Sequence, residues 1–201
     1  MSTQLQAENP QVQLTLPEIE IGAEVGLKRQ LRCLQGSRNG SRTTSEYAQR
    51  YGSPGVGGLW GNHIEGALGE FAVAKFLGLY PSGIEGYNTT DVGDHYEVRT
   101  RPEKFHELFI KKRDKPDKYY ILLQGSHGEY IIRGWISAYE VFEHDEWFHN
   151  NSGKTSFNYW VPFSFLYPIS ELPKEAPCQN KMETSSQSLL RSTKVIQYNS
   201  S

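Results

Sequence analysis

Residues 62–79 read NHIEGALGEFAVAKFLGL, and this stretch is the clearest helix in the chain. Apolar side chains recur on nearly every side of it, which is typical of a helix covered by protein on most faces. Glu65 and Glu70 interrupt the pattern, and Glu70 shares a face with the small and apolar residues Gly66, Val73, Ala74 and Leu77. Burying an unpaired carboxylate is costly. Glu70 is therefore either paired with a cation or part of a functional site, whereas Glu65 is more simply a structural residue.

Strand-like runs follow this helix. Residues 95–101 (HYEVRTR) alternate, and further runs lie at 108–110, 119–123, 129–136 and 157–161. Residues 125–128 (GSHG) predict a hairpin turn. Ser137 and Glu140 form a capping-box pattern, which predicts a helix from there to about residue 147. The order of helix, strands, helix and strand predicts an α/β (α+β) fold with a small sheet.

The ends and one internal segment have a different composition. Residues 1–16 are polar and predict an unstructured lead-in, and Pro17 opens a helix in which Ala23, Leu27 and Leu31 recur every four positions. Residues 36–61 are rich in Gly and Ser and predict a flexible loop, and residues 173–201 predict a disordered tail. One domain is therefore expected over residues 17–172.

Composition limits the classes of function. The 201 residues carry 21 Lys and Arg against 23 Asp and Glu, a formal net charge of -2, which excludes a polycationic nucleic-acid coat. Two cysteines are too few for a disulfide framework. We expect a cytoplasmic protein, because the sequence shows neither a secretory signal nor an apolar run of about 20 residues.

Residues 88–100 (NTTDVGDHYEVRT) contain the most specific chemical pattern. Asp91 precedes a tight Val-Gly-Asp turn, and two-residue periodicity places Glu97 and Arg99 on one face of the strand after it. The turn can bring Asp91 beside Glu97. Two carboxylates and the carbonyl of Val98 would suit Mg²⁺, which prefers oxygen ligands. A cation at Arg99 would face a bound phosphate. The alternative is a solvated hairpin whose charges happen to align.

The helix with Glu70, then Asp91, then Glu97-Val-Arg99 resembles the PD-(D/E)XK superfamily of metal-dependent nucleases, and most of all its short phage-encoded members. The likeness covers about residues 62–136. It implies a restriction-endonuclease-like fold, a small mixed central sheet flanked by helices, with the order helix, strand, strand, strand, helix, strand. It also implies that Asp91 and Glu97 bind Mg²⁺ or Mn²⁺, that Glu70 orients the metal's water or its outer ligands, and that Arg99 takes the lysine position.

Arginine at that position is a departure from the family pattern. A lysine can lose its proton and act as a base, whereas arginine stays charged and can only hold a phosphate and stabilise developing charge. Three alternatives remain: Arg99 supplies the electrostatic part alone, Lys111 or Lys112 reaches into the site, or the protein is an inactive binder on a nuclease fold.

A basic run follows the carboxylates. Residues 99–118 hold eight basic and four acidic side chains, which is the footprint expected of a nucleic-acid backbone site. Arg101, Lys111 and Lys112 are the predicted contacts, and a solvated turn is the alternative. Trp135, Trp147 and Trp160 are expected in the core rather than as stacking platforms.

The resulting functional hypothesis is a metal-dependent nuclease. Its expected substrate is DNA rather than RNA. We expect it in the cytoplasm, which is that of the bacterial host if a phage encodes the protein. A homodimer is the oligomer that we consider. No membrane partner is expected. The alternative is a catalytically inactive binding or accessory protein of a phage with the same fold.

Overall fold

The computed structural model describes residues 9–38, 56–83, 89–102, 107–150 and 157–177. Most of the loop predicted at 36–61 and most of the tail predicted at 173–201 lie outside these residues. The helices are α1 (Leu16–Arg38), α2 (Val56–Leu77) and α3 (Ala138–Phe142). The strands are β1 (Gln11–Gln13), β2 (Tyr96–Arg101), β3 (Leu108–Ile110), β4 (Tyr119–Ser126), β5 (Glu129–Ser137), β6 (Phe148–His149) and β7 (Asn158–Val161).

Two sheets form the fold, so the prediction of a mixed α/β class is confirmed. The first sheet has the order β1-β5-β4-β2, with β2 parallel to β4 and the other neighbours antiparallel. The second has the order β3-β7-β6 and is antiparallel throughout. The predicted turn between β4 and β5 is present, and His127 and Gly128 both take positive φ there, at 57° and 89°. No helix in the described part of the chain is long and apolar enough to cross a membrane.

The two faces of the first sheet are covered differently. One face packs on α2 through a cluster that includes Leu68, Val98 and Ile121. The other packs on the second sheet and α3 through a cluster that includes Tyr120 and Ile136. Helices therefore lie on both faces, but on the second face the helix is the five-residue α3, which shares that face with the second sheet. Residues 107–118, which lead from β2 towards its parallel neighbour β4, contain a turn and β3, which confirms the strand predicted at 108–110.

Three boundaries predicted from sequence are wrong. The predicted lead-in at 1–16 contains β1, because Val12 is buried and its strand pairs with β5. Helix α2 begins at Val56, inside the predicted loop. Helix α3 ends at Phe142, well before residue 147, and Ser137 makes no side-chain cap. Its expected partner Glu140 instead accepts a hydrogen bond of 3.0 Å from the Tyr167 hydroxyl.

Helix α1 begins with a capping arrangement. The backbone N–H and the hydroxyl of Thr15 donate to Glu18 Oε2 at 2.6 and 2.9 Å, which satisfies a donor at the helix start. Lys75 of α2 donates to the same oxygen at 2.7 Å. The hydrogen bond from Lys75 is the largest cause that lowers the pKa of Glu18 to about 2. This contact ties the start of α1 to the end of α2.

Helix α1 packs on α2 through small residues rather than through the predicted leucines. Leu27 and Leu31 are 40% and 50% exposed, whereas Gly22, Val25 and Gly26 are buried. A Cβ at Gly26 would lie 2.5 Å from the Ile64 Cα and 2.6 Å from the His63 carbonyl oxygen. Because backbone atoms cannot move aside as a flexible side chain can, only glycine permits this approach of the two helices.

Gly26→Ala is therefore expected to destabilise the protein by about 1–3 kcal/mol, the usual cost of overpacking. Gly66→Ala is the matched control, since it also lies in a helix but has open space around its Cβ position. It should stabilise by about 0.5–1 kcal/mol through helix propensity. Urea unfolding of both variants measures the difference. Equal effects would mean that α1 does not approach α2 at Gly26.

Candidate active site

The acidic turn predicted from sequence is present at the free edge of β2. Val92 and Tyr96 form an antiparallel bridge across it, and Gly93 takes φ +54° at its tip. This turn places the Asp91 carboxylate against β2, where Asp91 Oδ2 accepts the Val98 backbone N–H at 2.8 Å. Because β2 is an edge strand, its outward backbone groups need such partners.

Arg99 lies at the point where the oxygen atoms of this turn converge. Its Nη1 is 3.8 Å from Asp91 Oδ2, 3.7 Å from Glu97 Oε2 and 3.1 Å from the Val98 carbonyl oxygen. Its Nη2 donates to Asp114 Oδ2 at 2.9 Å, and its guanidinium carbon is 4.9 Å from the centre of the Tyr120 ring. The structure thus brings Asp91, Glu97 and Arg99 together, as their spacing predicts.

The pKa of Glu97 reflects its burial first and the nearby negative charge of Asp91 second. Burial is the main cause, and the Asp91 carboxylate adds to it, so that the pKa of Glu97 is raised to about 7. The positive charges of Arg99 and Lys115 act in the opposite direction. The ionised form of Glu97 is therefore held in an environment that disfavours it, which is common at functional sites.

The donor set fits a hard divalent cation. Two carboxylates and a carbonyl oxygen surround one position, and Mg²⁺ is commonly held by one or two carboxylates while it keeps several waters. The described residues contain no group of three or more His, Cys, Asp or Glu side chains arranged for a metal. A bound ion would take Asp91, Glu97 and the Val98 carbonyl as its protein ligands, and it would displace Arg99 Nη1, which lies among these three oxygens.

Glu70 is paired, but with a residue that sequence reasoning missed. Arg29 Nη1 and Nη2 donate to Glu70 Oε1 and Oε2 at 2.5 and 2.6 Å, a bidentate pair between α1 and α2. Glu70 is only 6% exposed. Burial raises the pKa of Glu70, and the negative charges of Asp91 and Glu97 add to this effect, whereas the hydrogen bonds from Arg29 oppose it. Glu70 thus lies close enough to sense the other two carboxylates.

Arg29 also supports the segment that positions Asp91. Its Nε and Nη2 both donate to the Gly83 carbonyl oxygen, at 3.2 and 2.5 Å. The adjacent Ser82 donates its backbone N–H to the Asp91 carbonyl oxygen at 3.0 Å, and its hydroxyl donates to the Thr90 carbonyl. One guanidinium therefore links Glu70 to the chain segment beside Asp91.

The predicted nucleic-acid contacts lie on aromatic rings. Arg101 is 5.3 Å from the centre of the Phe109 ring, Lys111 Nζ is 5.9 Å from the same ring, and Lys112 Nζ is 5.6 Å from the Phe148 ring.

Lys115, rather than Lys111 or Lys112, is the lysine whose charge lowers the pKa of Glu97. Asp114 and Lys115 belong to the basic run, but nothing in that run distinguishes them from neighbouring turn residues.

Glu65, expected to be structural, connects α2 to the β4–β5 hairpin. It accepts the His127 backbone N–H at 3.2 Å and the Tyr130 hydroxyl at 3.0 Å. It takes no part in the carboxylate cluster.

Comparisons with protein-family models, with curated proteins and with solved structures found no significant match.

Proposed function

We propose that the protein is a metal-dependent nuclease that hydrolyses phosphodiester bonds, with DNA as its expected substrate. The observation that carries this proposal is the convergence of Asp91 Oδ2, Glu97 Oε2 and the Val98 carbonyl oxygen, which all lie within 3.8 Å of Arg99 Nη1. Arg99 Nη1 occupies the centre of this set, so a metal ion would take its place, and the guanidinium, held by Asp114, would then lie beside the ion and could contact a phosphate group.

In the proposed reaction, water attacks phosphorus and the bond from phosphorus to the leaving oxygen breaks, which yields a phosphomonoester and an alcohol. Asp91, Glu97 and the Val98 carbonyl would hold Mg²⁺ or Mn²⁺, which supplies charge stabilisation and an acidified water. Arg99, retained by Asp114 at 2.9 Å, would contact the phosphate oxygens. Arg29, paired with Glu70, would position the Asp91 segment through the Gly83 carbonyl.

The topology supports a restriction-endonuclease-like arrangement in part. The Glu70 helix, Asp91 and the Glu97-x-Arg99 strand follow one another along the chain in the order that the superfamily resemblance implies. The resemblance also implies two strands between that helix and the Glu97 strand, whereas the described residues between α2 and β2 form only isolated bridges. Two further features depart from it: β3 and a turn follow β2, where the implied order has a helix, and the second sheet shares with α3 the face that a helix is expected to cover. We propose a restriction-endonuclease-like fold on the basis of the order of the site residues along the chain.

Calorimetric titration with Mn²⁺ tests the ligand set directly. We expect the wild type to bind Mn²⁺ at millimolar concentration and to cut plasmid or single-stranded DNA in its presence, and Asp91→Asn to lose both properties because a carboxylate ligand is removed. Asp117→Asn is the matched control, since Asp117 is an exposed turn carboxylate beside Lys118. Absence of binding in the wild type would contradict the proposal.

A second candidate function rests on the position of Arg99. Its guanidinium already neutralises Asp91 and Glu97 and is anchored by Asp114, an arrangement that could replace a metal permanently. The protein would then be an inactive nuclease-fold protein that binds nucleic acid or serves a phage as an accessory factor. In that case Mn²⁺ would not bind, and no divalent cation would support cleavage.

A further inference from the structure

The outer face of the second sheet carries aromatic side chains. Phe109 of β3 and Trp160 of β7 are register partners, and their ring centroids are 5.9 Å apart. Both are half-buried, whereas the alternate residues Leu108, Ile110 and Val161 are buried on the opposite face. Trp160 differs in this respect from Trp135 and Trp147, which are buried as the sequence predicts.

Basic side chains surround these rings. The Phe109 ring centre is 5.3 Å from the Arg101 guanidinium carbon, 5.9 Å from Lys111 Nζ and 6.0 Å from the Arg99 guanidinium carbon. Arg101 also lies 5.9 Å from the Trp160 ring. The Trp160 indole N–H is satisfied by the His149 carbonyl at 3.2 Å. We call Arg101, Phe109, Lys111 and Trp160 the aromatic–basic face.

This face continues the carboxylate site along one strand. Glu97, Arg99 and Arg101 alternate along β2 and lie on the face opposite to Tyr96 and Val98, which are buried. At about 3.3 Å per residue, Arg101 is about 13 Å from Glu97 along the strand. Arg99 contacts both Glu97 and the Phe109 ring. A ligand on the aromatic–basic face would therefore extend directly into the carboxylate site.

We propose that the aromatic–basic face binds an unpaired segment of nucleic acid, with bases stacked on Phe109 and Trp160 and the backbone contacted by Arg101 and Lys111. Aromatic rings among basic side chains are the combination that single-stranded nucleic acid requires, because each unpaired base offers a π face and each phosphate a negative charge. For the neighbouring site this implies a single-stranded or locally unpaired substrate, an implication that rests on the proposed nuclease function. A duplex keeps its bases stacked on one another and would gain only the phosphate contacts.

Binding is measured by fluorescence anisotropy with a labelled oligothymidylate and with a duplex of equal length, in EDTA, so that cleavage plays no part. We expect the wild type to prefer the single strand. Trp160→Leu should weaken that binding about 5-fold to 150-fold, because the loss of one stacked base costs about 1–3 kcal/mol of binding free energy. Arg101→Gln should lower the slope of log affinity against log salt by about 0.7, the value for one phosphate contact on a single strand.

The matched control is another cation on another ring. Arg133 lies 5.3 Å from the Phe163 ring, away from β2, and Arg133→Gln should leave affinity and salt slope unchanged. Should Trp160→Leu fail to fold, as seen by circular dichroism, Phe109→Leu and the salt slope of Arg101→Gln decide the question. Equal affinity for duplex and single strand, or the same loss in Arg133→Gln, would overturn the inference.

The two proposals fail in different ways. If the protein cleaves with metal but shows no preference for the single strand, the nuclease function is supported and the role of the aromatic–basic face as a stacking surface is contradicted. If the protein binds the single strand but not Mn²⁺, the proposed role of the aromatic–basic face is supported and the nuclease function is contradicted. Dimerisation abolished by Trp160→Leu, with no oligonucleotide bound, would identify a second copy of the chain as the occupant and overturn the inference.

Discussion

Glu97→Gln is expected to reduce cleavage strongly and, at the same time, to stabilise the protein in the absence of metal. The activity should fall on the order of a thousandfold, because charge stabilisation by a bound ion is worth several kcal/mol and each ~1.4 kcal/mol is a factor of ten in rate. The stability should rise because the fold disfavours the ionised carboxylate, whose pKa is raised to about 7.

The gain in stability has a defined pH dependence. The folded-state pKa of Glu97 lies above its ordinary value of 4.5, so the folded protein holds the proton more tightly than the unfolded chain does. The wild type therefore loses stability as the pH rises from about 4.5 to about 7, and the loss is complete above that range. Gln is neutral throughout, so Glu97→Gln should be more stable than the wild type by up to about 3 kcal/mol at pH 8 and about equal to it near pH 4.

Urea unfolding in EDTA at the two pH values, together with plasmid cleavage in Mn²⁺, measures both effects. Asp117→Asn serves as the control, because its carboxylate is exposed and should affect neither quantity. If Glu97 were simply a structural partner of Arg99, its replacement would lower stability at pH 8. A less stable variant, or one that cleaves normally, would therefore contradict the site that we propose.

Arg29→Met is expected to cost about 3–5 kcal/mol of stability, the usual penalty for leaving one member of a buried ion pair without its partner. Glu70 is 6% exposed and accepts hydrogen bonds of 2.5 and 2.6 Å from Arg29. The same variant also loses the bonds to the Gly83 carbonyl that support the Asp91 segment. Cleavage should consequently fall even where the protein remains folded.

The double variant Arg29→Met/Glu70→Met separates charge from packing. Replacing both partners by apolar side chains removes the stranded carboxylate, so most of the lost stability should return while cleavage stays low. Lys28→Met is the control on the same helix, since Lys28 pairs with Glu24 at the exposed surface and should change stability by under about 0.5 kcal/mol. Similar costs for Lys28→Met and Arg29→Met would show that the buried pair is unimportant.

The parts of the site that sequence reasoning predicts are those set by local geometry. The alternation of residues 95–101 places Glu97 and Arg99 on one face, and the Val-Gly-Asp turn folds Asp91 back onto β2. Both patterns act over a few residues. The apolar character of residues 62–79 likewise predicts a buried helix, and α2 is that helix, though longer at its start.

Contacts between distant segments were not predictable in this way. Arg29 precedes Glu70 by 41 positions, and nothing in α1 distinguishes it from Arg32 before the two helices are packed. That packing depends on the close approach at Gly26, whereas the regular spacing of Leu27 and Leu31 points to a face that the structure leaves exposed. Helical periodicity shows which residues share a face but not which face meets a neighbour.

By itself, the sequence determined the α/β class, the acidic turn and the Glu97-x-Arg99 strand, because turn chemistry and two-residue periodicity are local properties of the chain. Only the tertiary structure decided that Arg29 holds Glu70, that Asp114 anchors Arg99 and that the second sheet carries Phe109 and Trp160 beside the carboxylates. Each of these depends on which elements pack together, and that choice is made by the burial of surface over the whole domain.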